Sequence, residues 1–245
     1  MKQLGLIGYP LEHSFSKKYF TEKFKREGLP DWSYELYPIE NISDLKFLIA
    51  NPNLKGLNVT IPHKQAILPY LNGMDETAKA IGAVNTIKIS RTENEVRLIG
   101  YNTDCMGFEQ SLLPLLKHYH KKALVLGTGG AAKAVRYVLN KLGIEYKTVS
   151  SSNKGNLSYN DLNENIITDH HVIINTTPLG MYPHVNSCPD LPYSALSHQH
   201  LLYDLVYNPL ETVFLTKGKQ YGAATKNGLE MLQLQADAAW SIFNI

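Results

Sequence analysis

Residues 123–134, ALVLGTGGAAKA, constrain this chain more than any other stretch. Four apolar residues, Ala123 to Leu126, run straight into Gly127-Thr128-Gly129-Gly130, and a helix-forming segment beginning at Ala131 follows at once, stopped by Gly143. Gly127, Gly129 and Ala132 stand at the spacing G-x-G-x-x-A. Between a strand and a helix that spacing has a physical purpose. The first glycine makes the tight turn, the second lets a pyrophosphate approach the backbone, and the small third residue lets helix pack on strand. The expected site is a dinucleotide-binding turn of Gly127, Thr128, Gly129, Gly130 and Ala131, with the pyrophosphate on the helix N-terminus.

The rest of the chain agrees with an α/β fold. KQLGLIG reads as a strand ending in glycine, and residues 14–28 carry Phe15, Tyr19, Phe20 and Phe24 at near-helical spacing. WSYELYPI, LKGLNVTI, IEYKTVSSS, HHVIINTTP and HLLYDLVYNP read as further strands, and ISDLKFLIA as a helix. Such alternation predicts mostly parallel sheets in two α/β domains. A long amphipathic helix over residues 106–119, capped by Asp104, leads from the first to the second. The domain boundaries fall at 1–104, joined by about 229–245, and 105–228. The last helix has Leu229, Leu232, Ala236, Ala239 and Trp240 on one stripe and must pack on something.

Charge and cysteine content narrow the function classes. With 24 basic and 22 acidic residues spread along the chain, no basic stripe exists to bind a nucleic-acid backbone. Two cysteines, Cys105 and Cys188, lack the spacing of a metal site and the number of a disulfide framework, which suits free thiols in a reducing cytoplasm. No apolar run reaches the ~18 residues of a membrane span. The expectation is a cytoplasmic protein with no membrane or nucleic-acid partner, as a monomer or a homodimer.

The second nucleotide strand bears on the cofactor. An acid about 20 residues past the glycines favours NAD by binding its ribose hydroxyls. Here residues 147–156, KTVSSSNKGN, hold none. Ser150, Ser151, Ser152 and Lys154 instead accept a 2′-phosphate, which points to NADP while leaving NAD open.

A hydride-transfer enzyme also needs a group to move a proton on and off the reacting oxygen. Lys64 follows the strand NVTIP directly, where partial desolvation would favour its neutral form, and Asp104 in GYNTDCMG is a carboxylate able to hold its charge. Taken singly, Lys64 also reads as a snorkelling surface residue and Asp104 as a helix cap.

GYPLEHSFS, NVTIPHK, GAVNT, NTDCMG, GTGGAAKA, NTTPLGM, DLVYNPLET and NGLEMLQLQA follow one another over almost the full chain, and in that order they resemble the motifs of the shikimate dehydrogenase family. The resemblance implies two α/β domains with a cleft between them, the first domain and the returning C-terminal helix binding shikimate and the middle, Rossmann-type domain binding NADP. The implied reaction is reduction of 3-dehydroshikimate to shikimate, a step of chorismate and aromatic amino-acid biosynthesis. Lys64 and Asp104 match the family's catalytic pair. Ser14 and Ser16 match its carboxylate donors, Thr60, Asn85 and Gln235 its ring-hydroxyl and carboxylate ligands, Tyr207 a residue near substrate and nicotinamide, and Gly228 a cofactor contact.

The chain departs from the family in two places. Lys17-Lys18-Tyr19-Phe20-Thr21 stands where a proline and a histidine-asparagine pair are usual, and Ser150-Ser151-Ser152 replaces NRT, so that Ser151 occupies the place of the arginine that binds the 2′-phosphate. A relative acting on quinate, with NAD, and a non-catalytic nucleotide sensor on the same fold remain the competing readings.

Overall fold

The protein is described by a computed structural model covering residues 1–11, 14–152 and 154–244; Glu12 and His13 of GYPLEHSFS and Asn153 of the SSSNKG loop lie outside the described residues. Two compact units emerge, Met1–Thr103 with Ala236–Ile245, and Asp104–Gln235.

The first unit contains, in chain order, β1 (Lys2–Gly8), α1 (Phe15–Arg26), β2 (Trp32–Pro38), α2 (Leu45–Ile49), β3 (Leu54–Val59), α3 (His63–Ala66), β4 (Gly73–Met74), α4 (Glu76–Ile81), β5 (Thr86–Arg91) and β6 (Val96–Tyr101). Its sheet has the order β2-β1-β3-β5-β6-β4. Period-two alternation sends the side chains of one strand to two cores. Leu4 and Leu6 pack with Phe20 and Phe24 of α1, Tyr34, and Ala236, Ala239, Trp240 and Phe243. Ile7 faces the other way, with Leu45, Leu57, Val59, Ile67 and Ile87. Aromatic contacts lock the first layer: Phe20 stacks on Tyr34 at 4.6 Å and Trp32 meets Trp240 edge-on at 4.9 Å.

Most pairings in this sheet are parallel, as expected, and β5 is the exception. β1 runs parallel to β2 and β3, and β4 to β6, but β5 is antiparallel to both β3 and β6. The cause lies in RTENEV: Arg91 pairs with Val96, and Thr92 N donates to Glu95 O at 2.9 Å. A connection that short can join only antiparallel neighbours.

The second unit is built from α5 (Asp104–Leu112), β7 (Lys122–Leu126), α6 (Gly130–Lys141), β8 (Glu145–Val149), α7 (Glu164–Asp169), β9 (Val172–Asn175), β10 (Leu201–Asp204), α8 (Val213–Gln220), β11 (Ala224–Lys226) and the start of α9 (Leu229–Phe243). All its strands are parallel, in the order β11-β10-β9-β7-β8. The crossover from β8 to β9 gives only six residues to α7. Before α7 the chain turns back on the free edge of β8, where Asn156 N and Leu157 N both donate to Thr148 O and Ser150 N donates to Leu157 O.

Two boundaries differ from the sequence expectation. The helix predicted over 106–119 is α5, which begins at Asp104 itself and stops at Leu112, because Pro114 cannot continue it and disfavours helical backbone in the residue before it. The division of the chain also runs through α9 rather than before it, since Ala236, Ala239, Trp240 and Phe243 join the first unit's core while residues up to Gln235 group with the second.

Candidate active site

In the first unit the chain leaves β1 toward β2 on one side and β3 on the other, so a crevice is expected at the carboxyl ends of β1 and β3. Ser14 and Ser16 follow β1, and Thr60 and Lys64 follow β3. Thr60 is fixed by its N–H donating to Ile7 O at 2.9 Å and its carbonyl accepting from His63 N at 2.9 Å. Any Cβ at Gly8 would overlap the Thr60 methyl, so the two strand ends approach only because residue 8 is glycine. His63 is buried and its Nε2 donates to Ile39 O at 2.7 Å, which anchors α3. Lys64, the next residue, is half-buried, and its carbonyl accepts from Val84 N at 2.8 Å.

That bond brings the start of β5 to Lys64. Asn85 is 3% exposed and pairs with Thr103 twice, Nδ2 donating to Thr103 Oγ1 at 3.0 Å and Oδ1 accepting from Thr103 N at 2.7 Å. Asn85 Oδ1 also accepts from Thr86 Oγ1 at 3.2 Å, which ties the amide to the start of β5. Behind it, Asn58 Nδ2 donates to Thr86 Oγ1 at 3.2 Å and Tyr34 Oη donates to Asn58 Oδ1 at 2.8 Å. Burial raises the Tyr34 phenol far above its ordinary pKa, with the Ser16 hydroxyl beside it opposing the rise. The polar chain therefore ends at Thr103, one peptide bond before Asp104.

Ser14 occupies the N-cap position of α1 but makes no side-chain capping bond. Its Oγ is buried and has no hydrogen-bond partner among the described residues. Its hydroxyl therefore does not cap the helix. A buried hydroxyl without a partner is costly and marks a place for a ligand acceptor.

In the second unit Asp104 is 6% exposed at the head of α5. Gly107 lies one turn later on the same face, and a Cβ there would come 2.5 Å from Met231 O and 3.0 Å from Gln235 N. Gln235 accordingly sits beside the first turn of α5, half-buried, with its Nε2 donating to Leu232 O at 2.9 Å.

The nucleotide turn sits where the order reverses around β7. Gly127 has φ +110°, and a Cβ there would lie 2.6 Å from Thr176 Oγ1. Gly129, by contrast, faces open space at the start of α6, whose first N–H groups, from Gly130 and Ala131, have no acceptor within the helix. Thr128 is half-buried between them. An open concavity of backbone donors fits a pyrophosphate.

The neighbouring loops are tied by one buried carboxylate. Asp204 is fully buried; Thr212 Oγ1 donates to Oδ2 at 2.6 Å, and Asn175 Nδ2 and Val206 N each donate to Oδ1 at 3.0 Å. Burial pushes its pKa up to about 6, against those three donors. Asn175 Oδ1 in turn accepts from Thr177 Oγ1 at 2.6 Å. Tyr207, half-buried, follows three residues after Asp204, and the buried Gly228 donates its N–H to Val206 O at 3.0 Å.

After β8, Ser150 Oγ is turned inward, accepting from Ser152 N at 3.1 Å and lying 3.0 Å from Ser152 Oγ. Ser151 and Lys154 are exposed.

Residue-by-residue sequence reading missed Asn58, Thr86, Thr103, Asn175, Asp204 and Thr212. A signal was available: Asn-Thr recurs at 85–86, 102–103 and 175–176, each time at a strand end. Among the described residues no group of three or more His, Cys, Asp or Glu side chains could hold a metal, and no helix is long and apolar enough to cross a membrane.

Known proteins resemble this chain along nearly its whole length. The family model described as the shikimate dehydrogenase substrate binding domain matches residues 6–87. Shikimate dehydrogenase (NADP(+)) of Methanosphaera stadtmanae is 38% identical over 260 residues, covering 98% of this chain and 90% of the relative. The crystal structure of shikimate 5-dehydrogenase from Thermus thermophilus, in complex with NADP(H) and shikimate, superposes with a TM-score of 0.84 at 30% identity, covering 99% of this chain and 93% of that one. Quinate dehydrogenase from Corynebacterium glutamicum, in complex with NAD, reaches a TM-score of 0.86 at 28% identity over 99% of this chain and 93% of that one. With an all-parallel unit carrying the glycine turn, a mixed-sheet unit carrying Lys64, and relatives matched along nearly their whole length, the chain belongs to the shikimate dehydrogenase family.

Proposed function

We propose that this protein catalyses the reversible NADPH-dependent reduction of 3-dehydroshikimate to shikimate, with Lys64 and Asp104 as the proton-transfer pair. The observation that carries the reading is the set of polar groups held at one end of the first unit's sheet, Thr60 and Lys64 after β3 and Asn85 bonded to Thr103, together with the Ser14 hydroxyl, which has no partner among the described residues. Ser14 and Ser16 donate to the substrate carboxylate, and Thr60, Asn85 and Gln235 pair with ring hydroxyls or the carboxylate. Pairing each hydroxyl with a buried side chain rejects analogues that lack one.

When bound by the Gly127–Ala131 turn, Gly228 and the loop at Ser150–Lys154, NADPH supplies hydride. As the carbonyl oxygen gains negative charge, the Lys64 ammonium hydrogen-bonds to it and delivers the proton; in shikimate oxidation the same amine removes the hydroxyl proton. Asp104 keeps that ammonium charged and oriented and accepts from an adjacent ring hydroxyl. Tyr207 bounds the substrate on the nicotinamide side. Cys105 and Cys188 form no disulfide with each other, which suits a reducing cytoplasm.

The test is nicotinamide absorbance at saturating nucleotide, with shikimate and then quinate, each with NADP and NAD. Shikimate oxidation faster with NADP is the expected result. Quinate oxidation with NAD alone would favour a quinate enzyme, and no turnover in any combination would favour a nucleotide sensor.

A further inference from the structure

We propose that Arg136 and Lys154 recognise the ribose 2′-phosphate of NADP(H), replacing the arginine for which this chain has Ser151; the proposal deepens, and rests on, the dehydrogenase reading. A cavity of about 620 Å³ runs along the free edge of β8, lined by Arg136 and Asn140 of α6, Glu145 and Thr148 of β8, and Lys154 and Asn156 of the returning loop. Its walls are polar, and two of its groups are cationic against one acid. Arg136 Nε is buried and has no hydrogen-bond partner among the described residues. Buried donors are nearly always satisfied, so an unfilled guanidinium donor on a polar cavity marks the seat of an acceptor.

Three further features point that acceptor to a phosphate near the nucleotide turn. Arg136 is the seventh residue of α6, and side chains leave a helix tilted toward its N-terminus, which here is the end that carries Gly129 and Gly130. A guanidinium fork matches phosphate oxygens in pairs, while the exposed Lys154 adds a point charge. The serines bring hydroxyls but no charge to set against a phosphate, and Ser150 Oγ is turned inward toward Ser152. What brings Lys154 to the same cavity is the turn at Gly155, where a Cβ would lie 2.9 Å from both Leu157 O and Thr148 O.

Calorimetric titration with 2′,5′-ADP and 5′-AMP tests the site without turnover. The parent should prefer 2′,5′-ADP. Arg136→Ala should weaken 2′,5′-ADP by about 10- to 100-fold, as expected for losing charged hydrogen bonds, and leave 5′-AMP within about twofold. Lys154→Ala, at an exposed position that does not endanger folding, should weaken 2′,5′-ADP by a smaller factor and flatten its salt dependence. Arg136→Lys should recover part of the loss. A parent without preference, a preference unchanged in both alanine variants, or equal loss of both ligands in Lys154→Ala would overturn the site. Shikimate oxidation by the parent is scored separately: a parent that turns over yet shows any of those results keeps its dehydrogenase reading, and one that does not turn over but shows the 2′-phosphate effect keeps the site alone.

Discussion

Ser14 and Asn85 are both buried polar residues in the first unit, yet their replacement should have opposite consequences for stability. Asn85 exchanges two hydrogen bonds with Thr103, so Asn85→Ala leaves buried groups unmatched and should cost about 1–3 kcal/mol in chemical denaturation, besides raising the KM for shikimate. Ser14 Oγ has no partner among the described residues, so Ser14→Ala should leave stability unchanged or slightly higher while raising the same KM. A stability loss in Ser14→Ala would show that its hydroxyl serves the fold. At Lys64, alanine should lower kcat by ~10²–10⁴ with a much smaller change in shikimate affinity, since proton transfer acts in the transition state. Asp104→Asn should be as severe, and strictly additive losses in the double variant would separate the two roles. The place of Lys64 just past β3 was legible from the strand that precedes it, and Ser14 was singled out by its motif. Asn58 and Thr103 were not, because their task is to hold other side chains, and a supporting hydrogen bond between residues far apart in sequence leaves no local spacing to read.

The crossing of α5 and α9 in the second unit depends on one glycine. The α9 backbone lies so close to Gly107 that Gly107→Val should cost about 1–3 kcal/mol by overpacking and shift Gln235, raising the KM for shikimate while leaving that for NADP unchanged. Gln235→Ala should reproduce the kinetic change without the stability loss, and equal weakening of both ligands would reduce Gln235 to a support for the fold. Elements with a strong local signal were readable here: β7 and α6 around their glycine turn, and α9 from its apolar stripe. Where the expectation went wrong or stopped short, a longer-range fact decided. Apolar spacing continues past Leu112, but Pro114 ends the hydrogen-bond ladder of α5. A β–α rhythm predicts a mostly parallel sheet without saying which strand is reversed, and the four-residue connection between β5 and β6 fixes those two antiparallel.

For the whole molecule, three histidines should govern the response to acid. His120 accepts from Lys117 N on Nδ1 and donates from Nε2 to Gln199 O; His200 does the same with Ser197 N and Ile167 O; His170 donates to Ile166 O. All three are buried just before or at the start of β7, β9 and β10, and burial lowers their pKa values below the usual histidine value. The unfolded chain then takes up protons first, so their contribution is complete above about pH 6.5 and is lost as pH falls toward the folded pKa values. Asp204 acts in the opposite sense, because its pKa is raised to about 6 in the fold and its burial is best tolerated below the unfolded carboxylate value. Three groups against one should make the unfolding free energy fall between about pH 6.5 and 5, and His200→Gln should lessen the fall; a flat profile would mean that these imidazoles are charged in the fold or titrate as in the unfolded chain. The return of residues 155–157 onto β8 has a separate consequence. It occupies Thr148 O and Ser150 N, groups that an uncovered edge strand would offer to any other chain. The loop is therefore also a guard against sheet-to-sheet association, and Gly155→Val, by prising it away, should raise light scattering with protein concentration above that of the parent.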